Sequence, residues 1–445
     1  MGACGTVTGS SYVLTSGSGS SILIDLGMYQ GTPDIERLNY EPYAYDCRSL
    51  DGAVLTHAHL DHCGRLPILL PKGFRGSIWM TPPTKDLTAL SLLDSAKIAI
   101  QDKKQGLYDK TLAYQTIDRF KTEEYGRPFR VGDFKVTFRD AGHIVGSASL
   151  EIEDLSPDSS YRKIVFSGDL GNTPEDLVHP TELIDSADAV VMESTYGDSL
   201  HEGGEPADIV RDEINAVEAS GGTLLIPAFA LERTQEILHI IMHLKKDGKI
   251  EEGTPVFLDS PMAERATEIY TTYPHLFNAH IRNDIDEIGT AFGFPGLEVV
   301  EKRSQSQGIH FREGANVIIA GSGMMAGGRI VGHAAHYLPN PENRLLIVGY
   351  QGEGTLGRKL MEGQKEVSID NQIVQVRANV NVTRALSSHG DQGQLLDWLR
   401  HIKGVKKVFL THGDDGPRAA LATKIGEELG LRDVHRPALR EVVAL

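Results

Sequence analysis

The apolar positions of this chain fall into two successive rhythms. In the first, short alternating stretches at 11–14 and 21–26 are joined by Thr15-Ser16-Gly17-Ser18-Gly19, which predicts a hairpin. An apolar run, Ala53-Val54-Leu55, reads as a buried strand. Leu87, Leu90, Leu93, Ile98 and Ile100, with polar residues between them, predict a helix over 85–104. Strand patterns return at 136–138, 149–152 and 163–166. Strands in this density with few helices imply sheets layered inside helices.

After Ala189-Val190-Val191-Met192 the rhythm changes. Ile209, Val210, Ile214 and Val217 lie at helical spacing and end at Gly221-Gly222. Strands at 223–226, 255–258, 316–320 and 344–348 then alternate with helices at 232–245 and 262–273. That alternation predicts parallel βαβ units, hence a Rossmann-like domain over 203–372. Residues 1–202 and 373–445 are left as one discontinuous domain, whose last apolar strand, 404–410, runs into Thr411-His412-Gly413-Asp414.

Composition narrows the class. The 445 residues carry 44 Lys+Arg against 61 Asp+Glu, a net charge of −17, which argues against a coat protein that binds nucleic acid through a broad basic surface. An enzyme with local positive charge is not excluded. Three cysteines, Cys4, Cys47 and Cys63, are too few for a disulfide framework and fit a reducing compartment. No apolar run approaches the ~18 residues of a membrane span, and no basic-then-apolar leader opens the chain. The expectation is a cytoplasmic protein without a membrane partner. Met1-Gly2-Ala3-Cys4-Gly5-Thr6 matches the N-myristoylation pattern, but it leads into apolar stretches and is read as the entry to a strand.

The chemistry concentrates after the strand at 53–55. His57, His59, Asp61 and His62 stand within six positions. Alternate side chains of an extended segment point the same way, so His57 and His59 can share one metal, while Asp61 and His62 reach a second. Imidazole and carboxylate donors suit Zn²⁺, with Mn²⁺ or Fe as substitutes. Further along, His143, Asp169, Glu193, His389 and His412 each follow an apolar strand or a small-residue turn.

The cluster H-x-H-x-D-H with later single His, Asp and His resembles the metallo-β-lactamase superfamily. Glu193-Ser194-Thr195-Tyr196-Gly197, an inserted α/β segment, then Ser388-His389-Gly390-Asp391 and Thr411-His412-Gly413, resemble its β-CASP branch of nucleases. The resemblance implies a four-layer αββα metallo-β-lactamase domain interrupted by a Rossmann-like β-CASP domain. It also implies two Zn²⁺: His57, His59 and His143 on one, Asp61, His62 and His412 on the other, and Asp169 bridging. Glu193, His389 and His412 match the branch's motifs A, B and C, and His at motif C accompanies RNA-acting members. The expected activity is a zinc-dependent ribonuclease, endonucleolytic or also 5′–3′ exonucleolytic, acting on single-stranded RNA in processing or decay. Its chemistry is attack by a hydroxide that two metal ions activate, with Asp61 among the catalytic groups. His389 would protonate the leaving oxygen, with Glu193 fixing its tautomer. A DNA nuclease of the same branch and a non-catalytic RNA-binding subunit are the alternatives, and a homodimer is allowed.

For the RNA backbone, the Gly-rich loop after 316–320 offers Ser322, Gly323 and Arg329, and two other post-strand loops offer Arg233, Thr355 and Arg358. Such contacts position a chain more than they read its sequence. The tight-turn reading of these loops stands beside the phosphate one. Lys245-Lys246 and Arg400, Lys403, Lys406 and Lys407 read as solvated surface. Tyr196 and Phe229 read as core aromatics before stacking platforms.

Overall fold

A computed structural model describes residues 2–101, 106–157, 159, 161–172, 177–201 and 204–445. The chain divides into two compact units, Met1–Leu200 with His389–Leu445, and His201–Ser388.

The first unit is built on two sheets. Five strands, in order Tyr12–Thr15, Ser21–Ile24, Gly52–Val54, Ser77–Met80 and Phe120–Thr122, make one sheet, its first pair antiparallel and the rest parallel. Seven strands make the other; Phe134–Asp140 and Ala148–Asp154 are antiparallel, whereas Lys163–Phe166, Ala189–Met192 and Lys407–Leu410 are parallel neighbours. Ile22, Ile24 and Val54 of the first sheet pack against Phe134, Phe138, Leu150 and Phe409 of the second. Strand faces buried on both sides explain why these segments read as apolar runs more than clean alternation. Leu23, Ala53, Leu55 and Ile78 point the other way, into a layer with Leu92 and Ala96 of helix Pro82–Gln101. Val190, Val408 and Leu410 do the same with Leu395 and Leu399 of helix Gln392–His401 and Leu421 of helix Asp415–Lys424. Helix, sheet, sheet, helix is the four-layer αββα order expected from the sequence.

The second unit carries a six-stranded, all-parallel sheet in the order Leu297–Val299, Val256–Asp259, Asn316–Ala320, Thr223–Pro227, Arg344–Ile347, Asn379–Val382. The Rossmann-like reading therefore matches its architecture. Its core joins Leu225, Ile318 and Leu345 of the sheet to Ile330 and Ala334 of helix Arg329–Tyr337.

The unit boundaries differ from the sequence reading at one end. Residues 373–388 were expected with the first domain, yet strand Asn379–Val382 closes the edge of the six-stranded sheet by pairing with Arg344–Ile347. Its pattern Asn-Val-Asn-Val is that of an exposed edge and carries no apolar run, which is why it was not legible. The expected boundary at 202/203 and the last predicted turn of the helix at 85–104 (102–104) lie outside the described residues. Among the described residues no helix is long and apolar enough to cross a membrane.

Two glycines let the loops of the first unit approach closely enough to matter. A Cβ on Gly27 would stand 1.4 Å from the Asp61 carbonyl oxygen, and one on Gly171 would stand 1.7 Å from that of Gly142. Gly27 thus lies directly under Asp61-His62, and Gly171 under the turn that presents His143. Gly27→Ala should cost about 3 kcal/mol, the upper end for overpacking, because a backbone must move. Gly416→Ala, in a helix with open space around it, should be neutral or stabilising. Both tryptophans, Trp79 and Trp398, are in the first unit, so urea unfolding followed by tryptophan fluorescence reads this unit; equal midpoints for the two variants would contradict the packing argument.

Candidate metal centre

The strand ends decide where the polar groups gather. Lys163–Phe166, Ala189–Met192 and Lys407–Leu410 are adjacent and parallel, so the loops leaving their C-terminal ends emerge side by side. Those loops carry Asp169, Glu193 and His412 respectively. Strand Gly52–Val54 of the other sheet delivers His57 and His59 in extended backbone, and His59 then caps the short helix Leu60–Cys63. That helix is clamped from below, since Leu26 N donates to His62 O (2.7 Å) and Met28 N to Leu60 O (2.7 Å). His143 follows Phe134–Asp140 on a turn whose Gly142 has φ +64.

Two donor groups result. In one, His59 Nδ1 lies 3.1 Å from His57 Nε2 and 3.1 Å from His143 Nε2, with Asp169 Oδ2 at 3.4 Å and 3.7 Å from the latter two. In the other, Asp61 Oδ2 stands 3.2 Å from His412 Nε2 and 3.7 Å from His62 Nε2, and Asp169 Oδ1 stands 3.2 Å from His62 Nε2. Within each group all ligand atoms fall within 4.8 Å of one another. The two groups share Asp169, one oxygen facing each. All seven residues named as ligands from the sequence are therefore brought together.

The donor sets fit divalent metal ions. Asp169 is 2% exposed, and its Oδ1 has no hydrogen-bond partner. An orphaned buried carboxylate oxygen is costly unless a cation meets it. Burial, with His62 nearby, holds His57 down at about 3, and burial holds His59 at about 4; His143 is likewise pushed well below the usual imidazole range. These rings are neutral at pH 7 and present lone pairs, the form that ligates. Burial works against the charged form of His62 as well, but the carboxylates of Asp169 and Asp25 outweigh it and raise this group. His/carboxylate clusters on such a scaffold can hold metal.

A layer of groups behind the donors sets their tautomers. His62 Nδ1 donates to Asp25 Oδ2 at 2.8 Å, and Asp25 also accepts from Thr56 N and Thr56 Oγ1, both at 2.8 Å. Because the Thr56 hydroxyl donates to Asp25, it accepts from His57 Nδ1 at 3.1 Å, which turns the lone pair of His57 Nε2 toward the centre. Thr195 Oγ1 serves His412 Nδ1 in the same way at 3.0 Å. Asp25 and His412 both hold left-handed backbone, φ +54 and +47, a strain that concentrates at functional sites. Sequence reasoning missed Asp25 and Thr195. The available signal was the acidic residue that interrupts Ile22-Leu23-Ile24-Asp25-Leu26.

His389 Nδ1 lies 3.1 Å from Glu193 Oε2 and 3.2 Å from Oε1. Glu193 is itself fixed by Leu170 N at 2.6 Å. Burial disfavours the His389 cation, but Glu193, Asp169 and Asp61 overcome it and raise the group to about 9. Its ring centroid is 4.6 Å from that of His143 and 5.7 Å from that of His412. An imidazolium therefore stands at the edge of both donor groups. Tyr196 is buried nearby, 6.3 Å from the His389 ring, so it is a packed aromatic.

The residues expected to hold phosphate meet a different fate. Arg233, Arg329 and Arg358 do follow the C-terminal ends of Thr223–Pro227, Asn316–Ala320 and Arg344–Ile347. They are not a set of free cations. Arg233 is buried and paired with Glu236. Arg329 pairs with Asp259 and donates to Val300 O at 2.7 Å. Arg358 pairs with Glu362 at 2.6 Å, with its side chain 39% exposed. Thr355 caps helix Leu356–Met361, and Ser322 Oγ donates to Gly327 O within its own loop. Gly323 packs against Phe229, leaving no room for a Cβ. Local carboxylates and turn hydrogen bonds satisfy what the pattern presented as open. Lys245, expected in solvent, is buried and donates to the carbonyls of Glu252, Thr254 and Pro295.

An αββα sandwich that gathers two carboxylate-sharing His/Asp groups at its strand ends is the scaffold of a metallo-hydrolase. The chain belongs to the metallo-β-lactamase superfamily, in its β-CASP branch. The family description "Metallo-beta-lactamase superfamily" matches residues 4–195, "Beta-Casp domain" matches 234–360, and "Zn-dependent metallo-hydrolase RNA specificity domain" matches 373–437. A ribonuclease of Thermus thermophilus is 36% identical over 437 residues, covering 97% of each chain. The transcription termination factor FttA of Methanosarcina mazei is 31% identical, covering 96% of this chain and 68% of its own. The RNase J-like protein of Methanocaldococcus jannaschii is 29% identical, covering 92% of this chain and 90% of its own. In fold alone, the crystal structure of a protein of unknown function from Enterococcus faecalis V583 aligns with TM-score 0.50 and 11% identity, covering 92% of each chain.

Asp25 tests the layer behind the donors. Asp25→Ala should weaken metal binding about 10–100-fold while circular dichroism stays native, read by competition with a chromogenic chelator. Unchanged affinity would mean that His62 and His57 need no orientation from it.

Proposed function

We propose that this chain is a metal-dependent ribonuclease with two Zn²⁺ in the paired donor groups, hydrolysing RNA with internal cuts. The observation that carries this reading is the juxtaposition of two donor groups sharing Asp169 with a carboxylate-held imidazole, Glu193–His389. Three elements of it are specific: His57, His59 and His143 on one ion, Asp61, His62 and His412 on the other, and Asp169 between them. The ions supply a phosphodiester clamp and a water acidic enough to attack at neutral pH. Mn²⁺ or Fe would serve the same donors.

The chain's own residues supply the rest. Asp61 and Asp169 present oxygen donors that orient the reacting water. Water gives up one proton to solvent and forms the new P–O bond in line as the P–O3′ bond breaks, and the departing O3′ takes a proton. His389 provides it from an imidazolium that Glu193 stabilises, so the products carry 5′-phosphate and 3′-hydroxyl ends. Glu193 itself positions and does not touch substrate. RNA over DNA rests on His412 and on the ribonuclease relative, whose match spans nearly both chains. The termination-factor relatives leave a larger part of their own length unmatched. Single-stranded RNA suits a buried centre that must receive an unpaired backbone, and Arg358, whose surface pair with Glu362 is weak, is the arginine we assign to that backbone.

His389→Ala should lower the single-turnover rate on end-labelled RNA by about 10²–10⁴-fold at unchanged bound metal. The same gel should show internal RNA cuts and far slower cleavage of DNA of equal sequence and salt. A His389→Ala rate equal to the parent's would remove the general acid, and equal DNA cleavage would favour a DNA nuclease. Arg358→Ala should weaken RNA binding for all sequences alike and reduce the slope of log K against log salt by about 1, measured by fluorescence anisotropy.

A further inference from the structure

The second unit holds four metal-type donors that the centre above does not use. His239 and His243 are four residues apart on helix Arg233–Lys246, and His280 and Asp284 are four apart on helix Ala279–Ile288. Each pair therefore occupies one face of its helix, and the two faces meet. One ligand atom from each of the four lies within 4.8 Å of all the others. The three imidazoles converge on one oxygen: Asp284 Oδ2 stands 2.9 Å from His243 Nε2, 3.6 Å from His239 Nε2 and 3.7 Å from His280 Nε2.

His239 separates this cluster from a simple ion pair. It is 4% exposed, and its Nδ1 donates to the Ala291 carbonyl at 3.0 Å. A single proton on a neutral ring placed at Nδ1 leaves Nε2 as a bare lone pair aimed into the cluster. Burial favours that neutral form, holding the group at about 4. Nε2 is buried and has no hydrogen-bond partner. An Asp284–His243 contact accounts for one imidazole and leaves the lone pair of His239 without a partner, at a cost only a cation or proton donor would relieve. A backbone carbonyl on one nitrogen and a bare lone pair on the other is how proteins present a histidine ligand.

We propose that His239, His243, His280 and Asp284 form a separate zinc site that staples helix Ala279–Ile288 to helix Arg233–Lys246. Three imidazoles and one carboxylate complete a tetrahedral set with no open position, which is a structural site and not a catalytic one. His280, with its side chain 63% exposed, and His243, 26% exposed, give the ion a route in from solvent. The proposal does not depend on the ribonuclease reading.

The test uses the full chain, stripped with a chelator, dialysed against Zn²⁺ and analysed for zinc by mass spectrometry. His243→Ala and His280→Ala, both at partly exposed positions, should each bind one zinc fewer per chain than the parent while cleaving RNA within about twofold of it. The double variant His57→Ala/His59→Ala should lose cleavage and one zinc, and a further zinc should disappear when His243→Ala is added. Co²⁺ loaded into that double variant should give the intense visible bands of tetrahedral coordination, and His280→Ala should remove the share that belongs to this site. Equal zinc content in the parent, His243→Ala and His280→Ala would overturn the site, whether or not the protein cleaves RNA. If the parent cleaves nothing but the zinc difference holds, the site stands and the function assigned above falls.

Discussion

The Asp169 carboxylate is the group around which the first unit is arranged. It is buried, and four imidazoles face it, His57 and His143 toward one oxygen, His62 and His412 toward the other. A charge in that position is unfavourable unless compensated from several directions. Compensation requires imidazoles from three separate loops, and the parallel arrangement of Lys163–Phe166, Ala189–Met192 and Lys407–Leu410 is what lets Asp169, Glu193 and His412 emerge together. The last of those strands lies far along the sequence, after the whole inserted unit. A fold that must bring His412 beside Asp169 therefore ties the chain's late strand into a sheet begun by its early ones, and the insertion becomes an excursion between two sheet neighbours.

The same demand explains the close backbone approaches. Gly27 and Gly171 have no room for a side chain because the loops carrying Asp61-His62 and His143 rest on them. Asp25 holds φ +54 to place its carboxylate under both Thr56 and His62. Strain and lost side chains are local costs, offset by hydrogen bonds that fix each imidazole's tautomer.

How much of this was legible follows from where each signal resides. The layers were readable because apolar runs such as Ala53-Val54-Leu55 and Val190-Val191 betray strands buried on both faces, and the parallel second unit was readable from its strand–helix alternation. Four of the donors, His57, His59, Asp61 and His62, were readable because they crowd into six positions; His143, Asp169 and His412 joined them only through the family resemblance. Asp25 was not, since one carboxylate after Ile22-Leu23-Ile24 looks like any strand end. Strand Asn379–Val382 was hidden by its exposed, half-polar pattern. The arginines are a related case: sequence shows a cation at a strand end, but not that Glu236, Asp259 or Glu362 neutralises it. The quartet His239, His243, His280 and Asp284 is split between two helices, and only packing reveals that their faces meet.

That neutralisation bears on how an acidic protein would hold RNA. With a net charge of −17 and its loop arginines paired, the chain has little free positive charge to offer from the candidates its sequence suggested. On the proposed assignment the centre itself supplies it. Asp25, Asp61 and Asp169 contribute three negative charges, His62 held as a cation contributes one positive charge until a metal takes its proton's place, the Glu193–His389 pair contributes none, and two divalent ions contribute four positive ones. The sum changes from −2 to +1 when the ions bind and His62 gives up its proton. Without metal, the donors present an anionic pocket that repels a phosphodiester; with metal, a strongly attractive field lies where the chemistry occurs. Affinity and catalysis are then coupled through one set of ligands. Backbone contacts elsewhere need only orient the chain, which suits the half-exposed Arg358 better than a basic groove.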